Sequence, residues 1–430
     1  MRRVGPLVPW GVLVGMLLFP WETLGAEKGS PVPSAPLERT VNLLSPLPFP
    51  IKETPLLQAA SAILIDATTG MILYEKNADI PLPPASLTKL VTMYRVLESI
   101  QEGKTSLKTV LTPPRESWAI NQPAGSSLMF LGPGQRVSVE ELLLGLAVAS
   151  GNDAAVALAI HIDGSVPAFV QGMNRLVKAL GLEQTFFVEP AGISAENRTT
   201  ARDFVRFCAA YINIFPEALS QYHRVTQISY PLSHNLSRPA GNTKPIIQQN
   251  RNGLLGQLEG VDGLKTGYIH ESGYNMAVTA RRGNTRLLAV LLGGPGKTTA
   301  EGSAIREQDS RTLLEWGFSH FTTLFAHIEH LEPVRIWKGK VRSITPQVGG
   351  PLSFTVPLER ASAVQWELSY HEPLLAPLAQ GAPIGRLRFF DAAGTLYEVP
   401  LISGERVEKG PWWRRTIDTC ILFFKSLFKS

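Results

Sequence analysis

Ser86 stands three residues before Lys89 in "PPASLTKLVT", residues 83–92, at the start of an apolar run. On a helix that spacing brings the amine over the hydroxyl. A lysine stripped of water, or set among other cations, loses proton affinity and can take the serine proton. A helix start also offers a backbone N–H to a developing oxyanion. Taken alone, "SLTK" reads as an ordinary helix start with serine at its cap. Two further groups change that. Ser150-Gly151-Asn152 places a hydroxyl and an amide on a tight turn between helical segments. Lys265-Thr266-Gly267 places a cation, a hydroxyl and a position without a side chain where a substrate carboxylate could lie along a strand edge. Each has its own bland explanation, as helix caps or as a surface hairpin. Three bland explanations would have to coincide, in order, on a helix start, an interhelical turn and a strand.

The elements that must hold these groups are legible from periodicity. "AASAILIDATTGMILYEKNADI", Ala59 to Ile80, reads as two strands around a turn at Thr68–Gly70. Leu90, Met93, Val96, Leu97 and Ile100 have helical spacing, so a helix should run on from about Ser86. Ser138 followed by Glu141 is a capping box that starts another. Phe169, Met173, Leu176, Val177 and Leu180 mark a third, and "EQDSRTLLEWGFSHF" a fourth. "TRLLAVLLGG" is a buried-strand candidate. Strands and helices mix without regular βαβ alternation, which predicts an α+β fold. From about His330 short β-rich runs separated by Gly/Pro turns predict a small β domain.

The ends differ from the middle. Arg2 and Arg3, the apolar Val12–Phe19 and the small residues of Leu24–Ala26 read as an ordinary secretion signal over residues 1–26. Residues 27–55 are proline-rich and read as a linker. In the last segment, 409–430, Trp413, Ile417, Cys420, Phe424 and Leu427 recur at three- and four-residue steps. Arg414, Arg415, Asp418, Lys425 and Lys429 lie mostly on the other side. That is a basic amphipathic helix suited to a membrane interface. Charged residues make up 18% and hydrophobic ones 44%, so the chain is globular and not disordered. The pI near 9.1 reflects a mild basic excess without a basic cluster interleaved with aromatics, so a nucleic-acid partner is not expected. The two cysteines, Cys208 and Cys420, sit in different regions, and no disulfide is expected.

The three groups match the S-x-x-K, S-x-N and K-T-G set of penicillin-recognising active-serine enzymes. The resemblance extends from about residue 56 to the end. "LIDATTGMILYEKNADIPLPPASLTKLVT" resembles the approach to the active serine in low-molecular-weight penicillin-binding proteins. "GMNRLVKALGLEQTFFVEPAGI" and "VDGLKTGYIHESGYNMAVTA" resemble their D-alanyl-D-alanine carboxypeptidase branch. "PLLAPLAQGAPIGRLRF" is similar to that branch's C-terminal β domain, and the tail to its anchor.

This resemblance implies a peptidase domain over 56–329 with an antiparallel sheet flanked by helices and the site at the sheet edge. A β-rich domain over 330–408 would serve as a stalk or docking module. It further implies Ser86 as nucleophile, Lys89 as general base and Ser150 as proton relay. Asn152 would bind the peptide amide, Lys265 and Thr266 the terminal carboxylate. Gly267 lies along the same edge, and the N–H groups of Ser86 and Tyr268 would form an oxyanion hole. The expected partners are peptidoglycan stem peptides, β-lactams and, through the tail, the outer face of the cytoplasmic membrane. No cofactor or metal is implied. Tyr268-Ile269 and Glu189-Pro190-Ala191-Gly192 depart from the His-Thr and Asn-Pro-His-Gly common in such enzymes. The alternatives are a D,D-endopeptidase or β-lactamase of the same fold, and a non-catalytic wall-binding protein, which would have damaged motifs. Two decoys are set aside. Gly296-Lys297-Thr298 lacks the upstream glycine of a P-loop, since Leu291 stands there. His320, His327 and His330 lack the spacing and partners of a metal site.

Overall fold

The computed structural model describes residues 5–6, 44–51, 53–236, 244–328 and 330–427. The expected export signal, Gly5–Pro6 excepted, the linker up to residue 43 and Lys429 lie outside the described residues. The chain divides into two compact units, with the break between Ser319 and His320.

The larger unit is built on a sheet. β1 (Ser61–Asp66), β2 (Met71–Lys76), β3 (Val261–Ile269), β4 (Gly273–Arg282) and β5 (Thr285–Gly294) are antiparallel in the order β2-β1-β5-β4-β3. Ser45–Pro46 adds a short parallel edge beside β2. The central strands are buried on both faces. Ile63, Ile65, Leu288, Val290 and Leu292 join the main helical core. Leu64 and Leu287 alternate with them and meet α6 (Thr299–His320). There Gly317 makes room, since a Cβ would stand 2.6 Å from Leu287 and 2.9 Å from Leu64. Two-sided burial is why "TRLLAVLLGG" is a continuous apolar run.

The main core is helical. α1 (Thr88–Gln101) buries Leu90, Val91, Met93, Tyr94, Val96 and Leu97, most of its circumference, as a central helix must. α2 (Val139–Leu144) opens on the expected capping box. The Glu141 N–H donates to Ser138 Oγ at 3.2 Å, and the Ser138 N–H to Glu141 Oε2 at 2.8 Å. α3 (Asn152–Asp163), α4 (Val166–Ala179) and α5 (Ala201–Ile214) complete the layer, and α5 lies on β1 and β5. α4 buries Phe169, Met173, Leu176 and Val177, the stripe its spacing predicts. The α+β architecture expected from the sequence is the one observed.

In the smaller unit β6 (Phe321–Phe325) pairs with β7 (Ser353–Pro357). β8 (Gln365–Tyr370), β9 (Pro383–Asp391) and β10 (Gly394–Ser403) form an antiparallel meander. Pro346–Val348 extends it beyond β10, and Gly5–Pro6 pair with β8. Phe354 stacks on Phe389 and Tyr397 with ring centres 4.6 and 5.1 Å apart. α7 (Trp412–Leu427) turns its polar side to this unit. Buried Asp418 accepts the Lys338 N–H at 2.5 Å, and Arg414 donates to Lys340 O at 3.0 Å. The Lys425 ammonium lies 5.3 Å from the centre of the Trp337 ring. Trp413, Ile417, Phe424 and Leu427 are each more than half exposed. Among the described residues no single helix is long and apolar enough to cross a membrane. Cys208 is buried, Cys420 exposed, and both are free.

Candidate active site

Ser86 sits in a tight turn, Ala85–Leu87, that leads into α1. Ala85 adopts φ +51°, in the left-handed region that a residue with a side chain rarely occupies. Two glycines from distant segments press on this turn. A Cβ on Gly192, whose φ is +79°, would stand 1.9 Å from Ala85 O. A Cβ on Gly267 in β3 would stand 2.9 Å from Pro84 O and 3.0 Å from the Ser86 nitrogen. Only residues without a side chain let three backbones approach so closely. From β4, Asn275 Nδ2 donates to Pro83 O at 3.0 Å and ties the same turn to the sheet.

Lys89 is fully buried one turn along. Its Nζ lies 2.9 Å from Ser86 Oγ and donates to Ala191 O at 2.5 Å. Burial above all, opposed by Glu189 and Asp153 and helped by Arg251, brings the amine down to about 7. Near neutral pH a large fraction of this lysine carries no charge, and the neutral amine can accept a proton from Ser86.

Ser150 ends a short wide-turned helical stretch, Gly145–Ala149, with φ +59° and ψ +35°. Ser150 and Asn152 are both buried. The turn is tied by the Gly151 N–H to Gly145 O at 3.0 Å and the Asn152 N–H to Ser127 O at 2.8 Å. Asp153 adds four bonds, accepting the N–H groups of Met129, Phe130, Leu131 and Ala154 at 2.8, 2.8, 3.0 and 2.9 Å. Asn152 Oδ1 is buried without a partner among the described residues. A buried acceptor left open in this way suits an N–H brought by a ligand.

β3 is the edge strand of the sheet and carries Lys265 and Thr266, both buried. Lys265 Nζ donates to Thr266 O at 3.0 Å. Burial and the neighbouring cations Lys89, Arg251 and Arg306 hold this amine well below the usual lysine range. Positive charge gathered at this strand favours a carboxylate ligand. His223 braces the strand behind Lys265. Its Nδ1 is 3.1 Å from Leu264 O and its Nε2 2.8 Å from the Tyr211 hydroxyl. A carbonyl can only accept, so Nδ1 carries the proton and Nε2 accepts from Tyr211. Burial pushes His223 down to about 4, so the ring stays neutral. Tyr268 is half exposed, and its ring packs on Tyr274 with centres 4.4 Å apart.

These contacts bring Ser86, Lys89, Lys265 and Gly267 together. Thr266 and Tyr268 follow along the same edge. Ser150 and Asn152 arrive on the turn beside Asp153, whose charge reaches Lys89. Sequence reasoning passed over Asp153, His223, Arg251 and Arg306, and set Glu189 aside. Asp153 had a local signal, its place next to Asn152. The others reach the site only through folding.

The chain matches known proteins over most of its length. The family profile described as "D-alanyl-D-alanine carboxypeptidase" matches residues 50–296, and "Penicillin-binding protein 5, C-terminal domain" matches residues 321–409. D-alanyl-D-alanine carboxypeptidase DacC of Escherichia coli is 34% identical over 402 residues, 90% of this chain and 94% of that protein. D-alanyl-D-alanine carboxypeptidase DacD of Salmonella typhimurium is 37% identical over 377 residues, 85% of this chain and 90% of that protein. The crystal structure of penicillin binding protein 5 from Haemophilus influenzae superposes with a TM-score of 0.73 at 33% identity, covering 83% of this chain and all of that one. With both family profiles on one chain, and relatives this similar over most of its length, the protein belongs to the low-molecular-weight penicillin-binding proteins of the D-alanyl-D-alanine carboxypeptidase family.

Proposed function

We propose that Ser86 is the nucleophile of a serine-type D-alanyl-D-alanine carboxypeptidase that removes the terminal D-alanine of peptidoglycan stem pentapeptides. The observation that carries this role is the contact of Ser86 Oγ with the fully buried Lys89 amine at 2.9 Å.

The substrate enters extended along the β3 edge. Its terminal carboxylate meets Lys265 and Thr266, with Arg251 and Arg306 adding positive charge. Asn152 Oδ1 accepts a peptide N–H. The carbonyl between the two D-alanines turns to the N–H groups of Ser86 and Tyr268, which hold the oxyanion. Neutral Lys89 takes the Ser86 proton as Oγ bonds to the carbonyl carbon. Ser150 passes a proton to the departing nitrogen, the C–N bond breaks and D-alanine leaves. Water then cleaves the ester and restores Ser86. A β-lactam acylates the same serine by ring opening.

We also propose that residues 1–26 direct export, that residues 27–55 lead from the signal into the peptidase unit, whose sheet Ser45–Pro46 already join, and that the tail helix lies in the membrane interface. The exposed Trp413, Ile417, Phe424 and Leu427 support the anchor, because the polar side of the helix is already engaged by Lys338 and Lys340. The β-rich unit would then hold the peptidase unit off the membrane surface.

The deciding experiment is D-alanine release from a stem pentapeptide, comparing the full chain with Ser86→Ala. Release that vanishes in the variant is expected. A well-folded protein that releases none would move the reading to cross-linked substrates and an endopeptidase.

A further inference from the structure

Glu189 lies outside the three motifs, yet its carboxylate organises the loop that touches Lys89. Oε1 accepts the N–H groups of Gly192 at 2.7 Å, Ile193 at 2.8 Å and Ser194 at 3.3 Å, and Asn197 Nδ2 at 2.8 Å. Oε2 accepts the Ala191 N–H at 2.7 Å. Only an ionised carboxylate matches so many donors. An amide would turn its own N–H groups against some of them.

The loop wrapped in this way does two things. It aims Ala191 O at Lys89 Nζ, 2.5 Å away, and it seats Gly192 against Ala85. It is also fastened to the start of α1. Thr92 Oγ1 donates to Pro190 O at 2.7 Å, and Asn197 Nδ2 reaches Thr88 Oγ1 at 3.3 Å. One carboxylate thereby links the loop, the base and the turn that carries the nucleophile.

We propose that Glu189 is a positioning residue for acylation, fixing the Ala191 carbonyl on Lys89 and setting a carboxylate beside that amine. The inference rests on Lys89 acting as the base. The groups that face Lys89 are Ser86 from its own turn, Glu189 from the loop, Asp153 from the start of α3, Arg251 from the segment before β3, and Lys265 from β3. Burial and Arg251 push the amine down, and Glu189 is the largest opposing influence. Without it Lys89 would be neutral more often but a poorer proton acceptor, and the carbonyl that orients it would drift.

The test is the pH dependence of acylation by a fluorescent penicillin, measured on the full chain and on Glu189→Gln, Glu189→Asp and Lys89→Met. In Glu189→Gln the acid limb should move down by about one pH unit, and the plateau should fall by about tenfold or more. Glu189→Asp keeps the charge one methylene farther back and should place the limb between the two. A merely structural Glu189 would lower the plateau and leave the limb where it is, and that result overturns the proposal. If Glu189→Gln does not fold, the Asp variant decides alone: a lowered limb supports the proposal and an unmoved one overturns it. Lys89→Met separates the two ideas. Wild-type acylation by that variant removes the base itself, whereas loss of acylation there with an unmoved limb in the Glu189 variants removes only Glu189.

Discussion

Gly192 and Ala85 are in direct backbone contact, so close that a Cβ on Gly192 would stand 1.9 Å from the Ala85 carbonyl oxygen. The contact joins residues 107 positions apart in the chain. Ala85 at this contact adopts φ +51°, and Ser86 follows it directly in the same turn.

Gly192→Ala should therefore damage stability and chemistry together. The φ of +79° strains any side chain, and the overlap forces the turn away. A loss of more than about 1 kcal/mol is expected. Acylation should drop by about a hundredfold or more, because misplacing reacting groups by an ångström is that costly. Thermal unfolding and labelling by a fluorescent penicillin check the two halves.

Acylation should follow the neutral form of Lys89. With the amine at about 7, the rate should fall about tenfold per unit of pH below that value and level off above it. Stopped-flow acylation across pH measures the limb. A limb centred near an ordinary carboxylate value would point to a different base.

The same lysine makes stability depend on pH. Its folded value lies below the ordinary 10.5, so between about 7 and 10.5 the unfolded chain binds more protons than the folded one. Its contribution to stability therefore rises with pH across that window and is lost as pH falls toward 7. Lys265, lowered in the same direction, adds to the slope. Urea unfolding of Lys89→Met should show a flatter pH dependence than the wild type.

Asn152→Ala should spare the fold and impair the chemistry. Asn152 Oδ1 makes no bond among the described residues. Removing it should leave the unfolding midpoint nearly unchanged while acylation by peptide substrate falls by about 10–100-fold, the value of one hydrogen bond inside a site. A large fall in stability would instead make the amide a structural group.

Membrane attachment should reside in the exposed stripe of α7. Replacing Ile417 and Phe424 by glutamate alters residues that face away from the smaller unit. Folding and D-alanine release should persist while flotation with vesicles is lost by about tenfold or more. Retention of vesicle binding in this double variant would place the anchor elsewhere.

By itself the sequence determined what depends on neighbouring residues. The three-residue step from Ser86 to Lys89 is a property of helix geometry, and the capping box at Ser138 and Glu141 is equally local. The apolar run of β5 announced a buried strand, and Ala59–Ile80 announced two strands around a turn. The order of the three motifs was enough to point to an active serine and to this family. Tertiary structure alone decided what surrounds the Lys89 amine. Glu189 lies 100 residues from Lys89, and its influence exists only because the loop folds onto the start of α1. The clamp of Gly192 and Gly267 on the turn that carries Ser86 has the same origin. In α7, periodicity separated a polar side from an apolar one, but the bonds of Asp418 and Arg414 decided that the polar side meets the protein. Local stereochemistry repeats every few residues and can be read along the chain. Contacts between distant backbones depend on how the whole core packs, and they leave no period to read.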